Sequence, residues 1–133
     1  MVVLKFRVWD KELKAMFELK SLVFTLNLAT IASKNDLFPS RTRSFDDIIF
    51  MQSTGLFDNS TPKKEIFESD IVEWEHKDTG QLVRGIVKYD AELGFWGMTD
   101  VRFNDLRAIG YLANQRVTVL GNIYQNKELG DVE

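Results

Sequence analysis

Several short stretches of this chain alternate between hydrophobic and polar residues with a period of two, the pattern of half-buried β-strands. Turn-forming residues such as glycine, asparagine, aspartate and proline separate these stretches, as in antiparallel hairpins. The pattern predicts strands at residues 4–9, 15–20, 21–30, 48–51, 71–77, 82–89, 95–98 and 116–120. The sequence therefore predicts a mainly β fold with antiparallel strands in its N-terminal part.

The remaining segments predict little helix. Asn104 is a suitable N-cap for a short helix over residues 105–112, and residues 126–129 predict one further helical turn. Residues 33–47 are mostly polar and contain Pro39, which predicts a surface excursion between strands. We expect one or two short helices in the whole chain.

The hairpin formed by residues 71–77 and 82–89 allows its register to be predicted. A four-residue loop pairs Lys77 with Leu82 and therefore Trp74 with Gly85. In this register the hydrophobic residues of both strands share one face, and Tyr89 joins that buried face. Gly85 has no side chain, so the indole of Trp74 can lie across the neighbouring strand.

Length and composition limit the choice of architecture. The chain has 133 residues and no cysteine, which predicts one domain over residues 1–133 and excludes a disulfide scaffold and thiolate chemistry. We expect N-terminal strands and the surface excursion in residues 1–50, and a barrel-like subdomain in residues 63–126. The net charge is −3, which argues against a dedicated nonspecific nucleic-acid binder.

The sequence predicts neither a membrane span nor a signal peptide. Lys5 and Arg7 interrupt the first apolar segment, and no apolar run approaches the roughly 20 residues that a spanning helix needs. We therefore expect a protein of the cytoplasm with no membrane partner.

Candidate catalytic groups are few. His76 is the single histidine, and a lone histidine near a strand end is most often an ordinary polar strand residue. Four acidic residues, Asp58, Glu65, Glu68 and Asp70, are close in sequence, but they lack the spacing of an EF-hand, and solvated loop charges explain them better. No phosphate-binding loop or nucleophile motif is present in the sequence. We expect no catalytic residue, no metal site and no cofactor.

Four residues are candidates for binding. Lys5, Arg7 and Trp9 share one face of the first predicted strand, and such a basic and aromatic face can stack bases and hold phosphates. Trp9 and Trp96 are the tryptophans that the alternation of the strands does not assign to a buried face. Exposed tryptophan is a common anchor of protein interfaces. Packing, a protein interface and a nucleic-acid interface stay open as explanations.

Four segments in order resemble the YopX family of phage and prophage proteins. They are KFRVWD at residues 5–10, MQSTGLFD at 51–58, EIFESDIV at 65–72 and VLGNIYQN at 119–126. The resemblance spans essentially the whole chain, although residues 33–47 contain no matching segment. Ser69 stands where the family pattern has glycine, and a turn that requires positive φ would be strained there.

The resemblance implies a β-rich fold with an SH3-like, partly open barrel in the C-terminal half, encoded by a phage or prophage. With the missing catalytic sets, it favours a non-enzymatic accessory protein that acts by protein–protein interaction inside the host bacterial cell. The expected partner is a protein of the phage or the host, and self-association into a homo-oligomer is open. The alternative is a nucleic-acid-binding module that uses the face of Lys5, Arg7 and Trp9.

Overall fold

The computed structural model describes residues 5–33, 39–75, 79–92, 94–100 and 116–130. These residues are mainly β, which confirms the predicted fold class, and they form two antiparallel sheets. The helix predicted at residues 105–112 and the histidine at position 76 lie outside the described residues. Within the described ranges, no helix is both long and apolar enough to cross a membrane.

The chain divides into two compact units, Met1–Ser53 and Thr54–Glu133. The strands are β1 (Phe6–Asp10), β2 (Ala15–Val23), β3 (Leu28–Ala32), β4 (Arg41–Ser44), β5 (Ile48–Phe57), β6 (Glu65–Phe67), β7 (Asp70–Glu75), β8 (Leu82–Asp90), β9 (Phe95–Asp100) and β10 (Thr118–Asn122). Two 3₁₀ turns, Phe24–Leu26 and Phe45–Asp47, and one short helix, α1 (Lys127–Gly130), complete the described elements.

The first sheet has the order β4-β3-β2-β1-β5-β6, so that β1 is bonded on both sides. Its alternating sequence buries Val8, which has no exposed surface, between its partners Phe17 on β2 and Phe50 on β5. Ala29, Ile31 and Ile48 complete the buried cluster around Val8. The hydrophobic alternation of β1 thus builds the core of the first unit.

Two predictions in this unit are wrong. The strand predicted at residues 21–30 is interrupted by the turn Phe24–Leu26, after which Asn27 takes the left-handed conformation with φ of 53°. The predicted excursion at residues 33–47 contains β4, which pairs with β3. Both errors arise because the exposed turn is apolar and the edge strand is polar, the reverse of the usual pattern.

The second sheet has the order β10-β7-β8-β9, and neither sheet is closed into a barrel. The buried hydrophobic core of the second unit consists of Ile66, Val72, Trp74, Val83, Val87, Met98 and Val117. The partly open barrel expected in the C-terminal half is therefore, over the described residues, an open four-stranded sheet.

The hairpin of β7 and β8 has a different register from the predicted one. Trp74 pairs with Val83 and Gly85 pairs with Val72, a shift of two residues. A shift of two keeps every side chain on its predicted face, except that Tyr89, expected inside, is 51% exposed.

Ser69 occupies a tight turn between β6 and β7. Its φ is 71°, the left-handed region that favours glycine. The Ser69 N–H donates to the Val87 carbonyl at 2.9 Å, and its carbonyl accepts from the Ile123 N–H at 3.1 Å. These two bonds hold the residue in the strained conformation that the departure from the family pattern predicts.

Candidate functional site

An apolar pocket in the first unit is lined in part by Lys5, one of the predicted binding residues, and its volume is about 570 Å³. This volume is in the range of small-molecule and side-chain binding pockets. We call it the aromatic pocket; its walls are Lys5, Phe6, Glu18, Leu19, Lys20, Ser21, Leu22, Phe24, Phe45 and Phe50. It lies within one unit, on the side of the sheet that carries Phe6.

One wall of the aromatic pocket is formed by the end of β2 and the turn that follows it. The pairing of β2 with β3 shifts register between Leu19 and Ser21, which is a β-bulge at Lys20. The Asn27 N–H then donates to the Phe24 carbonyl at 3.2 Å and closes the 3₁₀ turn. Asparagine is one of the few residues that adopts the left-handed conformation readily, so the turn is encoded locally.

The opposite wall is formed by the second 3₁₀ turn. The Ser44 hydroxyl caps this turn by accepting from the Asp46 N–H at 3.2 Å. The Phe45 N–H donates to the Asn27 carbonyl at 2.9 Å, which ties the two turns together. The ring of Phe45 makes edge contacts with Phe24 at 6.1 Å and with Phe50 at 5.2 Å between centroids.

Beside the aromatic pocket, the first turn presents unusually exposed apolar side chains. Val23 is 43% exposed, Phe24 73% and Leu26 65%. We call these three residues the apolar tip. Single exposed apolar residues are common, but three within four positions beside an apolar cavity form a patch that water covers poorly.

Charged groups stand at the border of the aromatic pocket. Lys20 Nζ lies 3.1 Å from Glu18 Oε2, and the two side chains are 46% and 37% exposed. Such a pair contributes little to stability, because water screens it. Lys5, one of the predicted binding residues, also lines the pocket and is exposed.

The predicted basic and aromatic face exists in part. Lys5 is exposed, but Arg7 and Trp9 are half-buried. The Nε atom of Arg7 is buried, and the residues paired with Arg7 across the sheet are Glu18 and Met51. On this face, Arg7 therefore lies between the acidic Glu18 and the buried, apolar Met51.

Trp96, the fourth predicted residue, belongs to the second unit. It is half-buried, packs against the core of that unit and contacts Tyr89 edge to face at 5.3 Å. These contacts indicate that Trp96 is a packing residue at the edge of the second sheet.

Among the described residues, three aspartates are buried: Asp10, and also Asp58 and Asp70, which were expected to be solvated loop charges. The Oδ2 atom of Asp70 accepts a hydrogen bond from the Phe67 N–H at 2.8 Å. Burial by itself would raise the pKa of Asp58, but hydrogen bonds from the Lys64 N–H, from Ser60 and from the Val119 N–H lower that pKa to about 2. Burial would likewise raise the pKa of Asp10. Hydrogen bonds from the Leu13 N–H and the Arg43 guanidinium outweigh this effect, so that the pKa of Asp10 lies below its usual value. Asp58 and Asp10 stay ionised at neutral pH and are used in structural hydrogen bonds.

No cluster of three or more potential metal ligands occurs among the residues whose positions are described.

Sequence reasoning missed the phenylalanines of the aromatic pocket. The available signal was the run from residue 21 to 33, which contains no charged residue in a chain that is 28% charged.

Comparisons with known proteins give a family and a fold. The family model described as YopX protein matches residues 5–129. The chain is similar to the crystal structure of protein EF1440 from Enterococcus faecalis, with 26% sequence identity and a TM-score of 0.59, over 98% of this chain and 100% of that chain. Among the curated proteins, none matches.

Proposed function

Because this chain belongs to the YopX family, we propose that it is a phage or prophage accessory protein that acts by protein–protein contact rather than by catalysis. It works in the cytoplasm of the bacterial host, and its contact surface is the apolar tip together with the aromatic pocket. The phage origin rests on the family resemblance of the four sequence segments. The contact surface rests on the geometry of the first unit.

The observation that carries this proposal is the exposure of Phe24, 73%, at the edge of an apolar cavity. Exposed aromatic side chains that border a pocket are typical anchors of protein interfaces, because their burial releases much apolar surface from water. The two 3₁₀ turns are tied together by the hydrogen bond from the Phe45 N–H to the Asn27 carbonyl. A surface held in place before binding loses less conformational entropy on association.

Two of the three buried carboxylates support a role without catalysis. General acid–base catalysis at neutral pH needs a group whose pKa lies near the working pH. The pKa values of Asp58 and Asp10 are instead lowered by hydrogen bonds within the fold.

The nucleic-acid alternative has weaker support. Binding to phosphates needs accessible cations, since affinity comes mainly from charge neutralisation. Arg7 is half-buried and has the acidic Glu18 as its cross-strand partner. Lys5 is the exposed cation among the three predicted residues of that face.

The proposal is tested by affinity capture from host lysate with and without nuclease, using wild type, Phe24→Asp and Leu82→Asp. Leu82 is 62% exposed and lies in the second unit, so it is a matched control for adding a charge at an exposed apolar site. We expect specific proteins that survive nuclease with wild type and Leu82→Asp, and their loss with Phe24→Asp. Capture that Phe24→Asp leaves intact would refute this contact surface. Loss of all bound material on nuclease treatment would instead favour the nucleic-acid module.

A further inference from the structure

Among the described strands, β10 lies at one end of the second sheet and pairs with β7 only. The outer side of an edge strand carries backbone N–H and C=O groups that can pair with an extended chain of another molecule. Native sheets prevent this by covering the edge, by placing charges such as lysine on it, or by bulges that twist it away. The contacts of β10 combine all three.

The loop of residues 58–64, which we call the edge strap, covers the outer side of β10. The Val117 carbonyl, just before the strand, accepts a hydrogen bond from the Asn59 N–H at 2.9 Å. The Val119 N–H donates to Asp58 Oδ2 at 3.0 Å. The edge strap therefore occupies two positions at which an added strand would form its hydrogen bonds.

A lysine and a bulge also oppose strand addition at this edge. Lys64 Nζ lies 3.4 Å from the Val119 carbonyl, so that an ammonium group stands over this outward acceptor. The pairing of β10 with β7 shifts register between Val119 and Gly121, which is a β-bulge at Leu120. An added strand would have to displace the lysine and follow an irregular edge.

The two carboxylate oxygens of Asp58 have different partners. Oδ1 accepts from the Ser60 N–H at 3.1 Å and from the Lys64 N–H at 2.8 Å, both within the edge strap. Oδ2 accepts from Ser60 Oγ at 2.6 Å and from the Val119 N–H. The Asp58 N–H also donates to the Lys64 carbonyl at 2.8 Å, which closes the loop. One oxygen thus shapes the edge strap, and the other binds it to β10.

We propose that the edge strap is a conformational device that keeps β10 from pairing with an extended chain of another molecule, and that the bond from Val119 to Asp58 holds it in place. Asp58 is 3% exposed, so water does not compete for this bond. A carboxylate is also a stronger acceptor than the peptide carbonyl that an added strand would offer. The inference concerns the second unit and does not depend on the contact surface proposed for the first.

Asp58→Asn tests the bond that holds the edge strap. An asparagine whose side-chain oxygen keeps the Oδ1 position still accepts from the edge strap, but its NH₂ group faces the Val119 N–H and cannot accept from it. Hydrogen exchange measured by NMR should become roughly tenfold faster or more at Val119. Thr118 should change much less, because successive backbone groups alternate in direction and Thr118 pairs with Glu73 of β7. Equal acceleration at both amides would indicate loss of the whole strand and overturn the inference.

Sedimentation over a range of concentrations tests whether the edge strap prevents strand pairing. We expect Asp58→Asn to gain mass at concentrations at which wild type does not, because its open edge pairs with that of another copy. Gly85→Ala overpacks the same unit against Trp74 and leaves the edge strap intact, so it is the matched control for a loss of stability. Its mass should follow that of wild type, and circular dichroism checks that each variant keeps its sheets. Association of both variants to the same degree, or of neither, overturns the inference.

Cross-linking locates the contact, because the chain has no cysteine of its own. Thr118 is exposed on β10, so Thr118→Cys places one thiol at the edge. Mild oxidation should form dimers faster in the Asp58→Asn background than in the wild-type background. Thr79→Cys, at an exposed site of the same unit, should cross-link at equal rates in both backgrounds. Equal rates for Thr118→Cys as well would mean that β10 is not the contact and would overturn the inference.

Discussion

The indole of Trp74 lies against Gly85 on the adjacent strand. A Cβ atom at Gly85 would stand 2.9 Å from Cζ3 of Trp74 and 3.1 Å from the carbonyl oxygen of Thr99. Trp74 is only 8% exposed, so the ring cannot move away into solvent without leaving the core. The missing side chain of Gly85 is therefore part of the packing of the second sheet.

We predict that Gly85→Ala lowers the free energy of unfolding by about 1–3 kcal/mol, because the added methyl group overpacks this contact. Urea denaturation of wild type and variant measures the change. The same substitution in a Trp74→Phe background is the control, since a smaller ring leaves more room. The cost of Gly85→Ala should then fall, and an unchanged cost would show that the indole is not the cause.

The sequence predicted this contact although it predicted the wrong register. Hydrophobic alternation determines which side chains share a face, and a shift of two residues leaves that unchanged. It does not determine how many residues the loop takes. Among the described residues, the last pair of the hairpin is Glu75 with Leu82, where the prediction paired Lys77 with Leu82.

The candidate site was less predictable than the faces of the sheet. Phe24 and Leu26 continue the alternation of a strand in the sequence, yet both are exposed on a turn. An apolar pattern cannot distinguish a side chain buried in its own fold from one presented to a partner. Phe45 was not predicted as a site residue for another reason. It follows the polar edge strand β4, whose sequence resembles that of a surface loop.

The turn at Ser69 offers a gain in stability. Its positive φ of 71° costs a residue with a Cβ about 1 kcal/mol or more, which glycine avoids. Glycine also adds freedom to the unfolded chain, which offsets part of the gain. We predict that Ser69→Gly raises the free energy of unfolding by about 0.5–1 kcal/mol, measured by chemical denaturation. Ser69→Ala keeps the Cβ and should bring no gain; an equal gain would assign the effect to the lost hydroxyl.

Arg43 links the edge strand β4 to the end of β1. Its Nε atom donates to Asp10 Oδ2 at 2.6 Å, and Asp10 has no exposed surface. Removing the guanidinium leaves a buried carboxylate with the N–H groups of Glu12 and Leu13. We predict that Arg43→Ala destabilises the chain by about 2–4 kcal/mol, because a buried charge loses its partner. Thermal and urea denaturation measure this loss.

Arg41 provides the matched control for that variant. It lies on the same strand two residues earlier and is exposed. Arg41→Ala should change the free energy of unfolding by less than about 0.5 kcal/mol, as usual for surface substitutions. Equal effects of the two substitutions would mean that strand propensity, and not the bond to Asp10, explains the result.

Asp58 should make stability depend on pH at the acid end. It accepts hydrogen bonds from Ser60 Oγ at 2.6 Å, from Lys64 N at 2.8 Å and from Val119 N at 3.0 Å, and it is 3% exposed. These bonds lower its pKa from the ordinary value of 3.8 to about 2 in the fold. Between these pH values the unfolded chain binds a proton that the folded chain does not. The stabilisation is therefore complete above about pH 4 and is lost as the pH falls toward 2.

We predict that Asp58→Asn lowers the free energy of unfolding at pH 7 by roughly 2 kcal/mol, and that its difference from wild type shrinks as the pH falls from about 4 to 2. The amide nitrogen of asparagine cannot accept the bonds that the second carboxylate oxygen accepts, which adds to the loss. Urea denaturation at several pH values measures both effects. Glu92→Gln, which removes an exposed carboxylate of the same unit, should follow the wild-type pH profile. A difference between Asp58→Asn and wild type that stays constant down to pH 2 would show that the lost bonds, and not the charge, determine the effect.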